Sequence, residues 1–364
     1  MRAKFGTLGL GPRCSFMGFS DRILGRKNVN GGPHIDSVAP AHALAGGELR
    51  IIGSGLRPQE LLRPKVKFGD FEAPIVVSSD GFLVARVPEG ATSGPVVVAI
   101  DGHVSNPHTV GVAVPIAESL HLVTNPALDA EGNIYATFSA SRGQKVPVSV
   151  YRIDTNYAIK PFVQEMMNAT SIAFDKQGQM YVSSRHDGAV YCVAPNGATT
   201  TYAEGMGIAT GIAFDREQSL YVGDRNGTIF KIARDQQVFV FATLEMSVSA
   251  YHLAFGPHGD LFVTGPNDRV FKIDPRGNVT TFFKGLGRPQ GMAFDAEGNL
   301  YVAASLSGTR GIVRISPDSK ARLEVAGQGM VGLAFAPGRS VILATTSAVH
   351  HLSWNIQGLR LVPE

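Results

Sequence analysis

Six copies of one short pattern fill residues 121–364, and a chain built this way has few folds open to it. The copies centre on Ala127-Leu128-Asp129, Ile172-Ala173-Phe174-Asp175, Ile212-Ala213-Phe214-Asp215, Leu253-Ala254-Phe255, Met292-Ala293-Phe294-Asp295 and Leu333-Ala334-Phe335. A tight turn follows each, and then a second apolar run, such as Ile134-Tyr135, Met180-Tyr181-Val182, Leu220-Tyr221-Val222, Leu261-Phe262-Val263, Leu300-Tyr301-Val302 or Val341-Ile342-Leu343. Phe174, Phe214, Phe255, Phe294 and Phe335 lie 40, 41, 39 and 41 residues apart. The step from Leu128 to Phe174 is 46, because the loop around Ser139–Gln144 is longer. Four short strands per copy cannot bury a face alone, but copies stacked in a ring can. The period predicts a six-bladed β-propeller. The Phe of strand one and the Tyr of strand two are expected between the blades, where aromatic area is most useful.

The composition agrees with an all-β chain and excludes several function classes. Apolar residues make up 44% and charged ones 17%, enough for a real core and against wholesale disorder. The 42 Gly and 21 Pro supply turns. There is no apolar run of the length needed to span a membrane. Cys14 and Cys192 form neither a disulfide framework nor a metal set. The net charge of +3 misleads, since residues 1–32 carry +5 and the remainder −2. The folded part is not basic, and charge lends nothing to a nucleic-acid role. Residues 1–32 lack an apolar core before a small-residue cleavage site, so they read as a flexible basic tail rather than a signal peptide. On that reading the cytoplasm is the expected compartment.

Residues 33–115 have no such repeat. Seven short strands are expected there, at Ile35–Val38, Glu48–Ser54, Lys65–Phe68, Ala73–Ser79, Phe82–Val87, Pro95–Ile100 and Thr109–Val114, which is the pattern of an immunoglobulin-like β-sandwich. The wording from Pro33-His34-Ile35-Asp36-Ser37-Val38-Ala39-Pro40, through Gly46-Gly47 and Ile52-Gly53-Ser54-Gly55-Leu56, to Gly94-Pro95-Val96 resembles an IPT/TIG domain. That resemblance implies a contact module and a protein partner for it. Residues 116–120 are expected to be a short joint, leaving 121–364 to the propeller.

The propeller copies resemble NHL repeats, and are more closely similar to the senescence-marker-protein/gluconolactonase (SGL, LRE-like) family in stretches such as Pro289-Gln290-Gly291-Met292-Ala293-Phe294-Asp295. In a propeller, the loops before strand one and after strand two open on one face. They bring Thr124, Asn125, Thr170, Thr210 and Gln290 together with Arg185, His186 and Arg225, a mouth suited to a small polar molecule or a peptide. The family resemblance implies a divalent metal there, held by Glu, Asn and Asp. The corresponding positions are Thr124, Thr210, Tyr251 and Gln290, so both carboxylates are absent, and a hard cation such as Ca²⁺ needs them. No metal or other cofactor is therefore expected, with Ca²⁺ the alternative.

Two functions follow. One is a binding or interaction protein. The other is a gluconolactonase-type hydrolase, or a lyase, working without the metal through His252, Tyr251 and Asp224. Lone histidines are more often ordinary loop residues than catalysts, and Asp224 more often pairs with a nearby arginine. The Asp-x-x-Gly turns at Asp129, Asp175 and Asp295 read as hairpin connections rather than calcium loops.

Overall fold

A computed structural model describes residues 32–58, 63–139, 144–246, 249–265 and 267–360. The expected basic tail (1–31 of it) and the centre of the long first-blade loop lie outside the described residues. The described chain is all β and turns, without helices.

The first 80 or so described residues form two packed sheets. One has His34–Ala39, Glu48–Ser54, Phe82–Arg86 and Ile75–Ser78 in that order. The other contains Phe71–Ala73, Lys65–Phe68, Gly94–Ile100 and His108–Glu118. Alternation is clean: Leu49, Ile51, Val66, Leu83, Ala85, Val96 and Val98 point inward and form one apolar core.

Six four-stranded sheets follow. The inner strands are Ala127–Leu128, Ala169–Phe174, Ala209–Phe214, His252–Phe255, Met292–Phe294 and Met330–Ala336. In blades one to five, the next three strands in sequence pair outward in order. Blade six differs. It takes only Met330–Ala336, Ser340–Thr345 and Ala348–Ser353 from the C-terminal end, and its outer strand is the end of His108–Glu118. Val114 lies opposite His351 and Glu118 opposite Ala348. The segment expected as a joint is thus a strand shared by the sandwich and the ring. A second link is the short strand His42–Leu44, parallel to both His108–Glu118 and the outer strand of blade five.

The blades stack through the aromatic pairs that the repeat suggests. Tyr135 meets Phe174, Tyr181 meets Phe214, Tyr221 meets Phe255, Phe262 meets Phe294 and Tyr301 meets Phe335, all edge-to-face at ring-centre distances of 4.8 to 5.5 Å. In blades one, two, three and five an aspartate (Asp129, Asp175, Asp215 or Asp295) closes the first turn. Asp295 accepts the backbone N–H of Glu297 at 3.0 Å and of Asn299 at 2.8 Å, and the Tyr301 hydroxyl at 3.2 Å. Asp129 and Asp175 do the same for their own blades. These are turn caps, not calcium loops. Burial and the neighbouring carboxylate push Tyr135 up to about 12.

Blades four and six carry Gly256 and Ala336 in place of the aspartate, and Phe262 and Ile342 in place of the tyrosine. Where the acceptor is missing, so is the hydroxyl that needs it. Asp295→Ala is therefore expected to cost about 2–4 kcal/mol, because it strands a buried hydroxyl and two turn N–H groups. Urea denaturation of Asp295→Ala, Tyr301→Phe and the double variant checks this. The double variant should be more stable than the sum of the single losses implies.

Candidate functional site: the inner rim and central channel

Each inner strand starts at the mouth face, and the residues there are now placed. Thr124, Thr170, Thr210 and Tyr251 are all buried. Thr124 donates to the Thr170 carbonyl at 2.8 Å and Thr170 to the Asn168 carbonyl at 2.9 Å. Thr210 donates to the Gly223 carbonyl at 2.8 Å and accepts from the Tyr251 N–H at 3.1 Å. The Tyr251 hydroxyl donates to the Glu245 carbonyl, and burial first, then the charges of Asp224 and Glu245, push it up to about 12. The Gln290 side-chain oxygen accepts from Arg310. That guanidinium also donates to the carbonyls of Gly287, Arg288 and Met330, tying the loop between blades four and five to blade six. Burial, and then Arg288, lower Arg310 to about 10.

Asn125 has a different task. Its amide N–H donates to the Met292 carbonyl at 2.8 Å, and its oxygen accepts from the Leu333 N–H at 3.1 Å. One side chain of blade one therefore joins blades five and six. Gly291 and Gly332 make room for it: a Cβ at either would lie 2.0 or 2.5 Å from its oxygen.

The three residues considered for catalysis are not hydrogen-bonded to one another. Asp224 accepts from the Ile208 N–H at 2.8 Å and the Asn226 amide at 3.4 Å. His252 is 5% exposed, and no hydrogen bond engages its ring. Burial, with Arg310 adding to it, pushes its pKa down to about 4, so it is neutral at pH 7. Arg185 and Arg225 start the second turns of blades two and three, where their N–H groups reach the Asn168 and Ile208 carbonyls. His186 is exposed, 3.8 Å from Asp187.

A cavity of about 970 Å³ runs along the axis. Thr124, Asn125, Ser171 and His252 line its inner end. Its wall is formed by Ala173, Ala213, Ala254, Ala293 and Ala334 with their strand neighbours. Its remaining lining comes from Asp129-Ala130, Pro337–Arg339 and residues 356–360. Among the described residues, none from a second-to-third-strand turn lines it. Its lining extends to the first-turn face, opposite the mouth considered from sequence. The Ala at one fixed position of every copy was the legible sign of a channel, though not of its open end.

Does the rim fit the divalent metal of the resembling lactonases? Thr124, Thr210 and Tyr251 spend their hydroxyl protons on carbonyls, and Gln290 is held by a cation. No carboxylate stands among them. Asp224 and Glu245 approach Tyr251, but Asp224 caps a loop and Glu245 accepts from the Asn267 amide at 2.6 Å. Among the described residues, no group of three or more His, Cys, Asp or Glu is placed to hold a metal. The residues do not fit the group, since hard cations need several free, partly anionic oxygens.

Residues 33–112 match the IPT/TIG domain family, and residues 178–348 match the SMP-30/Gluconolactonase/LRE-like region. No curated protein matches the chain. A protein of unknown function from Bacteroides thetaiotaomicron is similar in structure, with 17% identity and a TM-score of 0.55 over 88% of this chain and 98% of its own. A putative gluconolactonase has 17% identity and a TM-score of 0.58 over 68% of this chain and 93% of its own. An auxiliary nutrient binding protein from B. thetaiotaomicron has 12% identity and a TM-score of 0.54 over 88% of this chain and 97% of its own. No described helix is long and apolar enough to cross a membrane. At such identities the likenesses show fold alone, whereas the family matches assign residues 33–112 to an IPT/TIG domain and residues 178–348 of the β-propeller to the SMP-30/Gluconolactonase/LRE-like region.

Proposed function

We propose that this protein binds a ligand rather than turning one over with a metal, and that its sandwich supplies a contact surface for a protein partner. The observation that carries this reading is the bonding at the rim. Every side chain at a family metal position already has a protein partner, and none is anionic. A divalent ion there would have to displace those bonds and would gain only neutral oxygens. The ligand class is a small polar molecule or a peptide.

A second reading keeps chemistry at His252, the one rim imidazole with no bond to its ring that lines the cavity. It would work without help from Tyr251 and Asp224, whose polar atoms are engaged elsewhere. A base whose conjugate acid is that strong is a poor proton acceptor near neutrality.

Calorimetric titration with Ca²⁺, Zn²⁺ and Mn²⁺ separates the readings, together with a sugar-lactone panel. The expected outcome is no saturable ion binding and no turnover. Tight binding of any of these ions that is lost in Gln290→Ala would overturn the binding reading. So would lactone opening that drops about tenfold or more in His252→Ala, equivalent to about 1.4 kcal/mol of lost transition-state stabilisation.

A further inference from the structure

At the inner end of the channel, among the described residues, two polar side chains are little used by the fold. Asn125 spends its amide on blades five and six, and Thr124 its hydroxyl on blade two. His252 lines the inner end, buried, with no hydrogen bond to its ring. Lining the same end from blade two, with blade three between it and His252, the Ser171 oxygen accepts only a 3.4 Å contact from the Ile212 N–H. The His252 ring nitrogens are not among the fully buried polar atoms left without a partner, so they face the open space of the channel, where water or a ligand can meet them.

The wall above these groups carries no charge. It consists of the ring alanines with Ile172, Ile212, Leu253, Met292 and Leu333. The inner strands pair on one side only, so their free edges add backbone N–H and C=O groups. Among the described lining residues the charged ones are Asp129, Arg339 and Arg360, toward the first-turn face, and Asp129 is committed to Asn133 and Tyr135. A charged ligand body in such a wall would have no counter-charge. A cationic head would also face the field of Arg310, which acts on His252.

We infer that the central channel, entered from the first-turn face, binds an uncharged molecule with an apolar body and a hydroxyl or carbonyl head that pairs with His252 and Ser171. A neutral imidazole and a serine hydroxyl that line one end of the channel can both give to and accept from such a head. The cavity volume matches that of small-molecule sites. The inference rests on the binding reading above, but it replaces the polar ligand class with a mainly apolar one and places the binding in the channel instead of at the mouth.

The test uses the full chain, with 1-octanol and 2-octanone as neutral probes and octanoate and octylammonium as charged ones. Binding is followed by saturation-transfer NMR and calorimetry. The expected result is saturable 1:1 binding of the neutral probes only. His252→Leu should weaken alcohol binding at least about tenfold, the loss of one buried hydrogen bond of roughly 1.4 kcal/mol. The channel-filling pair Ala213→Leu with Ala293→Leu should abolish it. Should His252→Leu fail to fold, the ring nitrogen shifts of His252 in the native protein take its place and should move with the alcohol. The inference is overturned by no saturable binding of the neutral probes, by equal binding of the charged ones, or by binding that both variants and the His252 signals ignore. Those results would leave the binding reading intact, because that reading falls only to the ion titration or the lactone panel.

Discussion

A chain beginning at residue 121 is expected not to fold into a stable propeller, although all six repeats are present in it. The outer strand of blade six lies in the residues removed. Val114 to Glu118 complete that sheet against Ala348–Ser353. Ala117 and Leu120 are buried with Leu122, Ile134, Val331, Ile342 and Val349, at the seam where blade six meets blade one. Removing these residues opens the ring where its ends join and leaves an unpaired apolar edge. The lost burial is about 1.5–3 kcal/mol for Leu120 alone, before the ladder bonds are counted, against a typical net stability of about 5–15 kcal/mol. The truncated chain should aggregate or lose cooperative melting in circular dichroism. A chain beginning at residue 107 restores the strand and should recover a cooperative transition. Cooperative melting of the 121 chain within a few degrees of the full protein would show that the shared strand is dispensable.

Stability should fall as the pH is lowered from about 6.5 toward 4. His252 has its folded pKa pushed down from 6.5 to about 4 by burial, with Arg310 as the second cause. Between those values the unfolded chain takes up a proton that the folded chain refuses, so acid favours unfolding. Above the unfolded value this contribution is constant, and below about 4 no more is lost. The full window is worth on the order of 3 kcal/mol. His350 is also lowered to about 4 by burial and adds in the same direction, less strongly because it is partly exposed. Asp215, raised mainly by burial, opposes the trend in the lower part of the window, since a carboxyl that protonates more readily when folded gains stability in acid. Urea midpoints of the native protein and His252→Leu at pH 7.5 and 5.0 check the assignment. The variant should show the shallower slope, and equal slopes would remove His252 as the cause.

Much of the architecture was legible because it is written locally. The spacing of Phe174, Phe214, Phe255, Phe294 and Phe335 marks the blades, and each packs on the aromatic residue of the preceding blade. The aspartate after the Phe and the tyrosine six residues on belong to one hairpin, so their pairing also follows from short-range pattern. The rim was legible as a list of residues but not as chemistry. Asn125 lies 167 and 208 residues from the groups that hold it, and nothing in its own blade announces them. Arg310, which holds Gln290 and biases His252, carries no sign of either task in its neighbours.

Period and alternation alone determined a sandwich followed by a ring, because strand pairing within a hairpin and aromatic packing between successive copies are set by nearby residues. Only the tertiary structure decided that the sandwich's last strand closes the ring, that the rim hydroxyls bond to backbone carbonyls, and that the cavity lining extends to the other face. Those outcomes depend on which distant backbone groups come within about 3 Å of a polar atom, and closing a ring sets that geometry for all six blades together.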